Sequence, residues 1–526
     1  MIKTDIKVKI KYTEYDIRQA LTERLPIEDS EITEVRILRR NLNLCDTKAP
    51  HYDMSVGVCL SAEREAGLLK MKKKVSAAPD LALSLPKSRL KSRPLVVGAG
   101  PAGLLAALTL AEAGAAPILI ERGRSVEERT KDVNIFFTKS ELSEDSNVQF
   151  GEGGAGAFSD GKLKYGALNK YKNKVLSEFV LAGAPAEIMY STTAHLGTDK
   201  LPGIVRGIRE KIIANGGEVI FSAKLVDIIL KDGAHVGAIY EKDGERITLD
   251  VENIILAVGH SAVDTVEMLT KRGLFAEPRG FGIGVRIEHP RDYIDELIYR
   301  EAKGEIGVGA SYHLVTHLPN GRSVYSFCMC PGGSIVAATS EKGCVVTNGM
   351  SEYARDGENS NAALLVSVTP KDFADSSPLA GFKLQRSIER AAYSMTGGYT
   401  APSQRLGDFM SGKASDTLTT KPTYPIGTLP TSHDVYMPTF ITDSLRAAMP
   451  DFDSWLGGYY YPDATLTGPE TRSTSPIRFT RGDSLEALGI SGIYPIGEGA
   501  GYSGGIVSSA ADGVLCAEKL LEKYAE

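Results

Sequence analysis

Residues 94–123 read PLVVGAGPAGLLAALTLAEAGAAPILIERG, and this stretch decides the fold. PLVV is a short apolar run suited to a buried strand, the turn Gly98-Ala99-Gly100-Pro101-Ala102-Gly103 follows it, and LLAALTLAEAG reads as a helix. PILIE is the next strand and ends on Glu121. Each residue type has a physical reason. Gly98 allows the strand-to-helix turn, and Gly100 lets the backbone approach a pyrophosphate with no Cβ in the way. Gly103 and Ala107 let the helix lie close on the sheet. The helix N-terminus offers free N–H groups and a positive dipole end to phosphates. The Glu121 carboxylate can accept hydrogen bonds from both ribose hydroxyls and disfavours a 2′-phosphate, so NADP does not suit this site. Strand, turn, helix, strand and acid in this order predict a Rossmann-type dinucleotide unit.

Two later segments favour FAD over NAD. Asn253-Ile254-Ile255-Leu256-Ala257-Val258-Gly259 is a strand that ends in a small-residue turn, with Ala257 and Gly259 as cofactor neighbours. Gly492-Ile493-Tyr494-Pro495-Ile496-Gly497-Glu498-Gly499 is another strand ending in glycine and acid, and Glu498 would hold the ribityl or pyrophosphate region. Gly501 to Gly505 then lead into a final helix starting at Ile506. With Gly504, Gly505 and Ile506 at its N-terminus, that helix would point its positive end at the flavin, where charge accumulates on reduction.

The chain has 526 residues, more than one hydrophobic core supports, so two or three domains are expected. A net charge of −6 argues against broad nucleic-acid affinity, which needs a local excess of Lys and Arg. The basic run Lys70 to Lys74, with Lys87, Arg89, Lys91 and Arg93, reads as a solvated linker face. Six cysteines are too few for a disulfide scaffold and fit a reducing compartment. The charged N-terminus lacks the apolar core of a signal peptide, and no apolar run has the length of a membrane helix, so the expected location is the cytoplasm, with no membrane partner.

Working outward from residues 94–123, the first sixty residues alternate as a small α/β module: a strand at Ile6 to Ile10, a helix at Glu14 to Arg24, and strands at Glu34 to Arg39 and Tyr52 to Leu60. Residues 61–92 lack strong periodicity and read as a linker carrying some helix. Residues 217–258 hold short strands broken by turns such as Lys231-Asp232-Gly233 and Lys242-Asp243-Gly244. The division expected is an α/β module with linker at 1–90, an FAD domain made of 91–275 and 486–526, and an α+β substrate or cap domain at 276–485 inserted into it.

The chain resembles the bacterial FAD-dependent dehydrogenases of the glutathione-reductase-like flavoprotein superfamily. The segments SNVQFGEGGAGAFSDGKL (146–163), YSFCMCPGG (325–333), SEKGCVVTNGMS (340–351), ETRSTSPIR (470–478) and GIYPIGEGAGYSGGIVSSAADG (492–513) carry the resemblance, together with 94–123. It implies a glutathione-reductase-type FAD domain interrupted by a substrate domain, and it implies no substrate. It also implies that Asn147 to Leu163 passes close to the flavin, where Gly154 would suit backbone approach to a planar ring, and Asp160 and Lys162 can hydrogen-bond to that ring. Arg122 and Arg129 are candidate phosphate or adenine neighbours.

Cys328 and Cys330 flank Met329 in a strand-like stretch, and alternation would put both on one face. Pocket lining or core packing, a thiol role near the flavin, and metal binding are all open readings. A one-residue spacing makes a strain-free disulfide hard to close, because alternate Cα atoms on a strand lie roughly 6.5–7 Å apart. Arg472 and Arg478 precede the C-terminal strand, and each either binds a carboxylate substrate or forms a structural ion pair. His260 either donates a proton or caps a turn. The expected function is hydride transfer between FAD and a small organic substrate. NAD(P)H would visit as a transient electron donor, since only one GxGxxG is present. The alternative is a flavin-containing RNA-modifying or adaptor protein in which FAD is largely a scaffold.

Overall fold

The computed structural model describes residues 1–525 apart from 71–73, 164, 165, 167 and 233. The middle of the basic run 70–74 and the last residue of the turn 231–233 thus lie outside the described residues.

Five three-residue strands run parallel in the order Ile493–Pro495, Ile254–Leu256, Leu95–Val97, Ile118–Ile120 and Glu218–Ile220. The first four are buried throughout, and their side chains divide by parity. Val96, Leu119, Ile255 and Tyr494 enter the core beneath the helices Pro101–Glu112, Lys170–Leu181, Gly197–Ala214 and Ile506–Lys523. Leu95, Val97, Ile118, Ile120, Ile254, Leu256 and Ile493 face the opposite core. There a three-stranded antiparallel sheet (Lys224–Lys231, Ala234–Lys242, Glu245–Leu249) and the helix Val263–Lys271 cover them. A parallel sheet covered on both faces needs uninterrupted apolar strands, as PLVV and PILI are. Helices Pro101–Glu112 and Ile506–Lys523 cross closely enough that a Cβ on Gly513 would overlap the Ala102 carbonyl oxygen.

The second large sheet has seven strands in the order Val315–His317, Ser323–Cys330, Asn359–Val368, Phe281–Pro290, Thr465–Glu470, Ala401–Arg405 and Thr428–Pro430. All its neighbours pair antiparallel except the last two strands. Helices Ala380–Thr396 and Thr439–Trp455 pack their apolar stripes against it through Ile388, Ala392, Ile441, Leu445 and Phe452. Phe281–Pro290 is buried along nearly its whole length yet carries Arg286, Glu288 and His289, so partners must meet them inside.

Near the N-terminus a four-stranded sheet runs in the order Glu34–Asn43, His51–Cys59, Ile2–Lys9, Ser76–Ala77. Ile17 and Leu21 of helix Glu14–Arg24 seal one face of it, and Thr13 and Asp16 form a capping box at the helix start. Residues 78–94 have no regular structure but are not free of the molecule. Leu83, Leu85 and Leu90 pack on the helical layer, and the Ser88 N–H donates to the Ala113 carbonyl at 2.8 Å.

Candidate active site

The turn after Val97 lies where three segments converge. Gly98 has φ 99°, and a Cβ there would overlap the Ala257 carbonyl oxygen. A Cβ on Gly103 would overlap the Gly98 carbonyl oxygen, so Gly103 serves helix packing and does not line the cavity. Gly100 differs from both. It caps the helix at φ −74°, ψ −178°, and a Cβ there would meet only the Gly154 Cα, at 3.8 Å. The open direction is the cavity, with Pro101 at the first helical position, where a missing N–H costs nothing.

The cavity measures about 540 Å³ and is walled by both large sheets. From the parallel-sheet side it is lined by Gly98, Gly100, Pro101, Ala102, Glu121, Arg122, Ala257, Gly259, Gly497, Glu498, Gly504, Gly505 and Ile506. Gly154, Asp160 and Lys162 line it from the glycine-rich segment. The seven-stranded sheet and the loops beside it add Tyr312, Phe327, Cys328, Asn348, Glu470 and Arg472.

The Glu121 carboxylate accepts from the backbone N–H groups of Ala99 (2.7 Å), Gly123 (2.9 Å) and Gly151 (3.0 Å). It therefore ties the glycine turn to the glycine-rich segment and keeps lone-pair capacity facing the cavity. Arg122 stands over the Phe150 ring, between Asp145 and Asp264. Glu498 is half-buried, and no hydrogen-bond donor reaches its carboxylate among the described residues; desolvation pushes its pKa up to about 7. Desolvation, with the Arg472 charge nearby, lowers His260 to about 4, so its ring is neutral near pH 7. The His260 Nδ1 lies 3.0 Å from the Ser261 hydroxyl.

Two expectations need correction, those for Arg129 and for the alternation of the cysteines, and two further candidates, Asp160 and Arg472, are already paired. Arg129 does not line the cavity. Its fully buried guanidinium donates to the carbonyls of Asn147 (2.8 Å), Val148 (2.9 Å), Gly151 (3.2 Å) and Glu152 (2.7 Å), and so folds the glycine-rich segment. Val126, Arg129, Val133 and Phe136 share the buried face of one helix, and this spacing was the signal that Arg129 points inward. Asp160 lines the cavity, but its carboxylate is fully buried and already engaged, with Arg355 gripping both oxygens and the Ser351 hydroxyl donating to it. Arg472 is held by Glu389 in a two-point ion pair (2.9 and 2.8 Å), by Glu341 at 2.9 Å and by the Ser340 hydroxyl at 2.8 Å. Of its two readings, the structural ion pair is the one realised.

The second correction concerns the cysteines. Pairing passes from Phe327 opposite Ala363 to Cys330 opposite Asn361, so the strand carries an extra residue there and simple alternation fails. Cys328 lines the cavity, while Cys330 is fully buried behind it. Lys162 donates its ammonium to the Met329 carbonyl, a contact that braces this bulge.

Sequence reasoning missed Arg286. It is fully buried, pairs with Glu470 at 2.6 and 2.8 Å, and donates to Asn361 (2.7 Å) and the Cys328 carbonyl (3.1 Å). An arginine inside the apolar run FGIGVRIEHP was the available signal, because a charge in such a strand requires a partner.

Two protein families match the chain: the FAD binding domain over residues 91–134, and the FAD-dependent protein, C-terminal domain-like family over residues 280–473. An uncharacterized protein of Clostridium beijerinckii is 42% identical over 517 residues, covering 97% of this chain and 96% of that protein. Among solved structures, a flavin-dependent brominase Bmp2 mutant is 11% identical, with 82% of this chain and 79% of that chain covered and a TM-score of 0.35. A geranylgeranyl bacteriochlorophyll reductase-like protein from Thermoplasma acidophilum is 12% identical, with 82% and 81% covered and a TM-score of 0.35. A 3-ketosteroid-delta4-(5alpha)-dehydrogenase from Rhodococcus jostii RHA1 is 13% identical, with 84% and 100% covered and a TM-score of 0.36. These structural likenesses are too distant to bear on function.

Proposed function

The chain belongs to the same family as the Clostridium beijerinckii protein and is an FAD-dependent enzyme of the oxidoreductase type; from that premise we propose that it transfers a hydride between bound FAD and a small organic substrate. The observation that carries this is one continuous cavity. Its parallel-sheet wall has the dinucleotide features, and its opposite wall, from the seven-stranded sheet, has side chains fit to hold a second molecule.

The residues fit FAD. With no Cβ on Gly100, the helix N-terminus is left open to the cavity, as close approach of a pyrophosphate requires. Glu121 would take ribose hydroxyls, and the unpartnered Glu498 would accept from a hydroxyl of the ribityl chain. The N-terminus of Ile506–Lys523, capped by Gly505, would place its positive end at the ring. When bound, FAD supplies an acceptor or donor of a hydride. The chain orients the substrate through Tyr312, Ser326 and Asn348, and supplies apolar contact through Phe327.

The FAD domain is of the glutathione-reductase, Rossmann type, supported by helices on one face of the parallel sheet and a three-stranded antiparallel sheet on the other. The domain limits are 1–90, 91–275 with 486–526, and 276–485. The protein works in the cytoplasm, supported by six unpaired cysteines, and no described helix is long and apolar enough to cross a membrane. NADH or NADPH visits transiently as electron donor. Nothing among the described residues favours the RNA-modifying or adaptor alternative.

The test is direct. Purified protein should be yellow, release intact FAD on acid or heat treatment, and lose its flavin absorbance when NADH or NADPH is added without oxygen. Colourless protein that takes up no added FAD would refute the site assignment, and bound flavin unreactive to either nicotinamide would refute the donor.

A further inference from the structure

The strand Ser323–Cys330 breaks its pleat at Cys328. The extra residue there opposes nothing on the neighbouring strand, and Cys328 sits at φ 42°, in the left-handed region that side chains other than glycine rarely occupy. The side chains of residues 328 and 330 are therefore not held in parallel at the strand's repeat. The Cys330 thiol donates to the Cys328 carbonyl oxygen at 3.2 Å, which turns its sulfur back toward residue 328.

Two cations hold the backbone of this bulge. Arg286 Nη1 donates to the Cys328 carbonyl at 3.1 Å and lies 3.9 Å from the Cys330 sulfur, while Lys162 holds the Met329 carbonyl. The two thiols are unlike. Cys328 lines the cavity, as Lys162, Glu498 and Ile506 do, and Cys330 is fully buried and does not line it. Its neighbour's hydrogen bond and the charges of Arg286 and Lys162 hold Cys328 below the usual thiol range against the opposing effect of burial. Burial raises Cys330 above that range.

We propose that Cys328 and Cys330 form a redox-active dithiol–disulfide pair that exchanges two electrons with the bound flavin, with Cys328 as its cavity-facing member. This rests on the flavoenzyme reading above. In the oxidising direction, the thiolate of Cys328 and the thiol of Cys330 form an Sγ–Sγ bond and the S–H bond of Cys330 breaks. Two electrons and one proton leave the pair, and oxidised FAD takes up all three. The reverse step returns them, so atoms and charge balance in both directions.

Full-length protein loaded with FAD is equilibrated anaerobically in glutathione buffers of graded potential, and free thiols are alkylated and located by peptide mass. The expected result is a Cys328–Cys330 bridge that appears at oxidising potentials while Cys344 and Cys516 stay free. Dithionite titration of the oxidised protein should consume four electrons per FAD, and two in Cys328→Ser and in Cys330→Ser. Yellow protein that accepts only two electrons, with both thiols alkylated at every potential, overturns the dithiol and leaves the flavin reading standing. Protein that takes up no FAD overturns both.

Discussion

Replacing Gly100 by valine should weaken FAD binding by roughly a hundredfold or more while leaving the fold intact, which separates two roles that glycines play in one turn. At φ −74°, ψ −178° the Gly100 backbone suits any L-residue, and the added Cβ meets nothing nearer than the Gly154 Cα at 3.8 Å. Stability of the flavin-free protein should therefore stay within about 1 kcal/mol of wild type, the gain from a stiffer unfolded chain offsetting small losses. The new methyl groups would occupy the space over the N-terminus of Pro101–Glu112. Displacing a pyrophosphate from there forfeits on the order of two charge-assisted hydrogen bonds, each worth about 1.5–3 kcal/mol. FAD affinity should fall by about 3–6 kcal/mol, roughly a hundredfold to ten-thousandfold. The assay is titration of deflavinated protein with FAD, followed by flavin fluorescence, beside chemical denaturation of the same preparation. Gly103→Ala is the contrast, because its Cβ overlaps the Gly98 carbonyl oxygen inside the packed turn and must destabilise the fold itself. FAD affinity within threefold of wild type in Gly100→Val, or Gly103→Ala as stable as wild type, would refute this account of the turn.

Arg129→Met should destabilise the protein by about 3 kcal/mol or more and weaken FAD binding, since four buried carbonyls of the glycine-rich segment lose their donor; unchanged denaturation and unchanged FAD titration would count against it. Glu498 gives a pH signature in the flavin-free protein. Its folded pKa, about 7, lies above the unfolded value, so the native state keeps a proton that the unfolded chain has lost, and stability drops as pH rises from about 4.5 to about 7, by about 3 kcal/mol. Glu498→Gln should remove that portion of the slope when denaturation is compared near pH 5 and near pH 8, and an unchanged slope would show the carboxylate to be solvated.

The parts of the site legible in the sequence are those whose geometry is local. Gly98, Gly100 and Gly103 act within one turn, and the helix that follows begins where Pro101 permits it, so spacing alone specifies a tight glycine turn at an open helix N-terminus. Parity within PLVV and PILI likewise follows from strand period, and the two cores on either side of the parallel sheet are its consequence. What escaped was set by distant partners. Asp160 meets Arg355, Arg286 meets Glu470 and Arg472 meets Glu389 only after the chain has folded, and nothing near any of them in sequence announces the match. The bulge at Cys328 escaped for a related reason. Alternation is the default for a strand, and an extra residue becomes visible only against the register of the neighbouring strand Asn359–Val368.

Those three ion pairs share a logic. Each joins the cavity wall to a segment far away in the chain, and each arginine engages its carboxylate with two nitrogens. Buried pairs of this kind add little net stability, because desolvating both charges offsets most of their attraction. Geometry is what they do supply: a two-point contact sets both the distance and the angle between the elements it joins. Arg286 makes the case most clearly, because its remaining donors go to Asn361, Asn348 and the Cys328 carbonyl, fixing the bulged backbone at the wall. An arginine committed in this way has no charge left to offer an anionic ligand. The paired arginines therefore act as the frame of this wall, and in the function proposed above contact with a substrate would fall to the neutral groups between them, Tyr312, Ser326, Asn348 and the two thiols' outer member, Cys328.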